Sequence, residues 1–256
     1  MSQWRRYVAI GDSFTEGLED PGSGDRHVGW ADRVAGELAR SNPDLEYANL
    51  AIRGRLLAPI LADQLPTALA LEPDLISIAG GVNDALRPHW DLAAMTTAWD
   101  AGLAQARSGG ADVVIVTFGQ PSRRSKALGA VENRLRDYRD VILDLARRHG
   151  CTVTDFWYAW VFDDPRLWAA DRLHLNSSGH ERVAAAVLED LGIPTWDWRA
   201  PLPHENPPSV VGRVGSDAAW MGTHLAPWIG RRILGRSSGD GVQPKYPRPV
   251  PAATLG

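Results

Sequence analysis

The chain has 256 residues, 44% of them hydrophobic and 23% charged, with a net charge of −4 and a single cysteine, Cys151. That leaves room for one α/β domain of about 200 residues plus an extension. The charge gives no basis for nucleic-acid binding, the lone cysteine excludes an intrachain disulfide, and no apolar run approaches the ~18 residues needed to cross a bilayer.

The opening Met1-Ser2-Gln3-Trp4-Arg5-Arg6 passes straight into an apolar run, with no signal-peptide core before it, so a cytoplasmic location is expected. Tyr7-Val8-Ala9-Ile10, closed by Gly11, reads as the first strand. Val28 to Arg40 reads as a helix with Trp30, Val34, Ala35 and Leu38 on one face. Leu45 to Leu50 is the second strand, followed by Ile52-Arg53-Gly54. Leu56 to Leu71 is mostly helical; Pro59 suits its first turn, whereas Pro66 kinks or splits it. Asp74 to Ala79 is the third strand, ended by Gly80-Gly81, and a helix over about Leu92 to Ser108 follows.

Val113 to Phe118 is a continuous run rich in β-branched residues, as in a strand covered on both faces. Leu128, Val131, Leu135, Tyr138, Ile142 and Leu145 step by three and four, which predicts a helix to His149, closed by Gly150. Cys151 to Phe156 is the fifth strand, with Cys151 as a small buried hydrophobe. A last core helix starts at Ser177 or Ser178 and stops at Gly192. From Arg199 onward, prolines accumulate and seven basic residues face three acidic ones, a net +4 against −8 for the rest. The organisation read is therefore a domain over 1–198 and a Pro-rich basic extension over 199–256. That extension carries one amphipathic helical patch, about Ser216 to Leu234. The patch either packs on the domain's own flank, the preferred reading, or contacts an anionic membrane surface or a partner subunit.

Strands alternating with helices imply an α/β/α sandwich with a five-stranded parallel sheet. The expected order is 2-1-3-4-5, which opens a ligand crevice at the carboxyl ends of the first and third strands. Gly11-Asp12-Ser13 leaves one of these and Gly81-Val82-Asn83-Asp84 leaves the other, so the two motifs should face each other. Ser13, in a tight strand-to-helix turn, is either a helix N-cap or a nucleophile. Asp171-Arg172-Leu173-His174 supplies a candidate base, His174, and a carboxylate three residues away to orient it. Gly54 and Asn83, with the backbone of Ser13, are candidate donors to an oxyanion. Together, four motifs each at a strand end favour the nucleophile.

These four blocks resemble the SGNH, or GDSL-type, hydrolase family over about Tyr7 to Gly192. The resemblance implies a flavodoxin-like three-layer fold, a Ser13–His174–Asp171 triad and an oxyanion hole of Ser13, Gly54 and Asn83. It also implies hydrolysis of small esters through an acyl-enzyme, with O-acetyl carbohydrates, thioesters and lysophospholipids as alternatives, and no metal or cofactor. The second block departs from the family pattern, because Arg53 stands where a serine often precedes the glycine. Two other readings fit parts of the sequence: a metal-dependent hydrolase using Asp171, His174 and His180, and a binding module without catalysis. Trp157, Trp160 and Trp168 are read as pocket lining or core. His27, Arg55, Arg87 and His89 are read as crevice-rim or solvated loop residues.

Overall fold

Apolar runs too short for helices become strands buried on both faces, and the amphipathic segments between them become the covering layers. The computed structural model describes residues 4–22, 26–124, 128–203 and 238–255. The strands are β1 (Arg6–Ile10), β2 (Glu46–Asn49), β3 (Leu75–Ile78), β4 (Asp112–Val116), β5 (Thr152–Thr154) and β6 (Tyr246–Pro251). The helices are α1 (Ser13–Glu16), α2 (Gly29–Ser41), α3 (Leu57–Pro59), α4 (Leu65–Leu69), α5 (Val82–Ala85), α6 (Leu92–Ser108), α7 (Pro121–Arg124), α8 (Glu132–His149) and α9 (Ser177–Asp190). The predicted amphipathic patch, Ser216 to Leu234, lies outside the described residues.

The sheet runs β5-β4-β3-β1-β2-β6. Its five parallel strands have the expected 2-1-3-4-5 order. Side chains alternate across the sheet, as the pleat dictates. Tyr7, Ala9, Tyr47 and Val114 pack with Trp30, Leu38, Val183 and Val187 of α2 and α9. Val8, Ile10, Ile76 and Ile115 pack with Leu57, Leu65, Trp99 and Ile142 on the opposite face. Burial on both faces explains why β4 reads as one unbroken apolar run.

The expectation of five strands needs correction. The sheet has a sixth, β6, antiparallel to β2 with Tyr47 opposite Val250 and a bulge between Tyr47 and Asn49. Its sequence, Tyr246-Pro247-Arg248-Pro249-Val250-Pro251, reads as a breaker because proline cannot donate to a ladder. Ala252 N–H donates to Leu45 O at 2.8 Å. By strand alternation the odd-numbered prolines then turn their missing donors outward. Proline is compatible with such an edge and blunts it against further pairing.

Pro66 also behaves as anticipated, with a local consequence. Between α3 and α4 the chain makes one π turn, Ile60–Gln64, with Leu65 N–H bonded to Ile60 O. Proline at the second position of α4 cannot supply the bond a continuous α-helix would need. The wider turn places Gln64 facing β1.

The turn after β3 rests on one side chain. Tyr138 OH of α8 donates to Gly80 O at 3.1 Å and accepts from Trp99 Nε1 at 2.5 Å. Gly81, at φ +94°, lies against it, and a Cβ there would fall 2.1 Å from the Tyr138 oxygen. Gly81→Ala is expected to lower stability by at least about 1–3 kcal/mol from backbone strain alone. Urea unfolding followed by far-UV circular dichroism reads this; an unchanged midpoint contradicts the packing.

Candidate active site

The turn after β1 is fixed from several sides. Gly11 has φ +154°, and a Cβ there would lie 2.5 Å from Ala79 O and 2.6 Å from Thr15 Oγ1. The Gln64 amide grips it in both directions: Gly11 N–H donates to Oε1 at 2.8 Å and Nε2 donates to Gly11 O at 3.0 Å. Asp12 caps α1 by accepting Phe14 N–H at 3.1 Å through Oδ1. Its other oxygen, Oδ2, accepts from Asn83 Nδ2 at 2.8 Å. Ser13 is the first residue of α1, a position whose N–H has no acceptor within the helix.

The His174 loop folds back on itself. Asp171 Oδ1 accepts the N–H groups of Leu173 and His174, each at 3.0 Å. Arg172 takes a left-handed φ of +54° to close this turn, a conformation that costs a non-glycine residue energy. Asp171 Oδ2 lies 2.5 Å from His174 Nδ1, and His174 Nε2 lies 3.1 Å from Ser13 Oγ. Burial pushes the Asp171 carboxyl up, but the His174 ring and the two loop amides outweigh this and leave it below the ordinary value. An ionised Asp171 can only accept, so Nδ1 carries the proton and Nε2 presents a lone pair to Ser13 Oγ–H. Asn176 then starts α9 by capping Gly179 N–H at 3.1 Å. The three side chains therefore touch in series, although Ser13 and His174 are far apart in sequence.

Asn83 reaches the same place from the opposite strand end. Besides Asp12, its Nδ2 donates to Arg55 O at 3.0 Å. Gly54, at φ +73°, is in the loop one residue earlier and is not among the residues lining the cavity described below. Arg53 is held away from this site. Its guanidinium pairs with the buried Glu16 carboxylate of α1, with Nε at 2.9 Å from Oε1, and its N–H donates to Oε2 at 2.7 Å. Sequence reasoning had left Glu16 and Gln64 without a role. Neither has a local signature, since each acts on a partner more than 30 residues away.

A cavity of about 250 Å³ opens beside Ser13, Asn83 and His174. Its walls are mainly apolar and include Val82, Leu86, Phe118, Val131, Leu135, Phe156 and Phe162. Of the three tryptophans, Trp157 is buried and the other two are overlaid by cations. The guanidinium carbon of Arg124 stands 3.3 Å from the Trp168 ring centre and that of Arg123 stands 4.0 Å from Trp160. His27, Arg55, Arg87 and His89 do not line the cavity. His180 does, stacked 6.1 Å from Phe14 and buried enough to be pulled down to about 3. Among the described residues, no group of three His, Cys, Asp or Glu side chains is arranged to share a metal ion. Nor, among them, is any helix long and apolar enough to cross a membrane.

The GDSL-like Lipase/Acylhydrolase family model matches residues 9–182, and the chain belongs to that family, whose members hydrolyse ester bonds. A GDSL lipase of Mycobacterium tuberculosis is 29% identical over 190 residues, covering 70% of this chain and 78% of the relative. Two solved structures share the fold. LAE5, an α/β hydrolase from the metagenome of Lake Arreo, Spain, is 24% identical with a TM-score of 0.63, over 75% of this chain and 97% of that one. A Trp-to-Ile variant of Axe2, an acetyl xylan esterase from Geobacillus stearothermophilus, is 21% identical with a TM-score of 0.63, over 75% and 96%. Axe2 has also been solved as catalytic mutants at an aspartate, a histidine and a serine.

One further carboxyl holds the site together. Asp84 accepts Leu57 N–H at 3.0 Å, tying α5 to α3, and burial lifts its carboxyl from 3.8 to about 6. Between those values the folded chain holds a proton that the unfolded chain has lost, so stability falls as pH rises through this window. Asn can accept the same bond without ionising. The stability of Asp84→Asn relative to wild type is therefore expected to rise between about pH 4 and about pH 6 and level off above. Urea midpoints at several pH values read this; a constant difference contradicts it.

Proposed function

We propose that the chain is a serine esterase that hydrolyses small esters with apolar acyl groups longer than acetyl, through an acyl-enzyme. The observation that carries the reading is the series of contacts from Ser13 Oγ through His174 to Asp171, at 3.1 and 2.5 Å. In this mechanism Ser13 attacks the ester carbonyl while His174 Nε2 takes its proton and passes it to the leaving alcohol. Asp171 holds the tautomer and steadies the imidazolium. Water then repeats the sequence on the acyl-Ser13 ester.

The oxyanion forms beside the N–H of Ser13, with Asn83 and Gly54 as the further donors. Both hydrogens of Asn83 Nδ2 point at acceptors, Asp12 Oδ2 and Arg55 O. An incoming oxyanion competes with the neutral Arg55 carbonyl for one of them and, being charged, is the stronger acceptor. The catalytic mutants of Axe2 alter the same three residue types, which supports the assignment.

The apolar walls favour an acyl chain over an acetylated sugar. All three tryptophans line the cavity, and one face each of Trp160 and Trp168 is already covered by a guanidinium and closed to a sugar ring.

Ser13→Ala and His174→Ala are each expected to lower kcat by up to about 10⁶-fold with the fold retained. Asn83→Ala is expected to cost about 10²–10³-fold. Turnover of p-nitrophenyl butyrate measures all three, and wild-type activity in Ser13→Ala refutes the mechanism. Across p-nitrophenyl esters from acetyl to dodecanoyl, kcat/KM should peak beyond acetyl. A maximum at acetyl, with acetylated xylan also cleaved, would overturn the acyl-chain assignment.

A further inference from the structure

The described C-terminal segment, residues 238–255, lies outside the span of the family match yet reaches the site from behind at two points. The first is Lys245. Its side chain is 9% exposed, and its ammonium donates to the carbonyls of Glu16 at 2.6 Å, His27 at 2.9 Å and Val28 at 2.9 Å, and pairs with the Asp32 carboxylate. Glu16 is the last residue of α1, the turn that begins with Ser13. Its carbonyl is one of those a helix end leaves without a partner of its own, and a cation suits it. Lys245 thus ties the far end of the Ser13 turn to the start of α2.

The second point is Gly239. A Cβ there would lie 2.1 Å from Arg53 O and 2.8 Å from Ile52 Cγ2. Backbone therefore packs directly on the loop that leads into Gly54 and Arg55. Glu16 connects the two points, because its carboxylate holds the Arg53 N–H and guanidinium. The contacts form a ring: C-terminal segment, α1, Arg53 loop, and back to the C-terminal segment. Arg55 O, at the front of that loop, accepts from Asn83. Within itself the loop has one long turn bond, Arg55 N–H to Ile52 O at 3.4 Å, and losing about 1 Å of alignment can cost about 10²-fold in rate.

Resting on the serine-esterase reading above, we propose that residues 238–255 form a built-in brace of the oxyanion site. Lys245, acting through Glu16, and Gly239, acting through Arg53, are positioning residues that hold the Gly54–Arg55 loop against Asn83. The brace touches no substrate. It acts on how well the loop is placed when charge develops, and so on kcat rather than on ground-state binding.

Three variants of the full chain test this. Gly239→Ala pushes on the Arg53 carbonyl and leaves every charge in place. Lys245→Met combined with Asp32→Asn removes both buried charges together, so that neither is left unpaired. Glu16→Gln keeps the backbone carbonyl and the side-chain size but weakens the hold on Arg53, so it tests the link between the two points, while the other two variants test the segment itself. Each is assayed with p-nitrophenyl butyrate and with an alkyl boronic acid, whose tetrahedral adduct on Ser13 mimics the reacting state. The expected result is a kcat loss of about 10- to 100-fold with KM within about 3-fold of wild type. Boronate Ki should rise in proportion to the loss in kcat/KM. Wild-type kcat and boronate affinity in the folded variants would overturn the brace and leave the segment as a cover for the sheet edge. Ser13→Ala is run beside them. Turnover retained in that variant sinks the esterase reading itself, whereas an inactive Ser13→Ala with fully active brace variants sinks only the brace.

Discussion

A single contact sets the demand that the rest of the molecule meets: Ser13 Oγ and His174 Nε2, 161 residues apart, lie 3.1 Å from each other. One such hydrogen bond is worth on the order of 1 kcal/mol, far too little to hold two loops in register. The register comes from the scaffold. β1 has β2 on one side and β3 on the other, so the winding reverses there and the loops leaving β1 and β3 open onto one crevice. Around that crevice each turn has its own anchor: Gln64 for Gly11, Asp12 for the Ser13 turn, the Leu173 and His174 amides for Asp171, and Asn176 for the start of α9.

Electrostatics sorts the carboxyl groups of this small region into different tasks. Asp171 keeps its charge because donors outweigh its burial. Asp84, more thoroughly enclosed, is lifted to about 6 and serves as a bridge between turns. Glu16, also buried, serves a different task and pairs with the Arg53 guanidinium of the neighbouring loop. The departure from the family pattern at Arg53 is therefore accompanied by a carboxylate placed to hold it.

What could be read from the residues alone follows the range over which each signal acts. Strands and long helices were legible because their periodicities are local. Gly11, Gly81 and Gly150 punctuate the chain at positive φ, as turns and helix ends require. The series Ser13, Asn83, Asp171 and His174 was legible as motifs at strand ends. Three features were not. β6 was hidden because its alternating prolines argue against a strand unless the edge it forms is known. Gln64 was hidden because its orientation depends on a π turn that only the bonding pattern around Pro66 creates. The Lys245 contacts were hidden because charge pairing with Asp32, across 213 residues, leaves no trace in local composition. The short helices α1, α5 and α7, each of four residues, fall below the length at which periodicity can speak.

The proposed covalent ester on Ser13 rests on the apolar cavity and the contact series taken together. The most direct measurement is to mix the protein with p-nitrophenyl butyrate, quench in acid during the pre-steady-state phase, and map the adduct by mass spectrometry. The account predicts a burst of p-nitrophenol and a butyryl group on the peptide that contains Ser13. Full turnover with no adduct, or with the acyl group on another side chain, would contradict it.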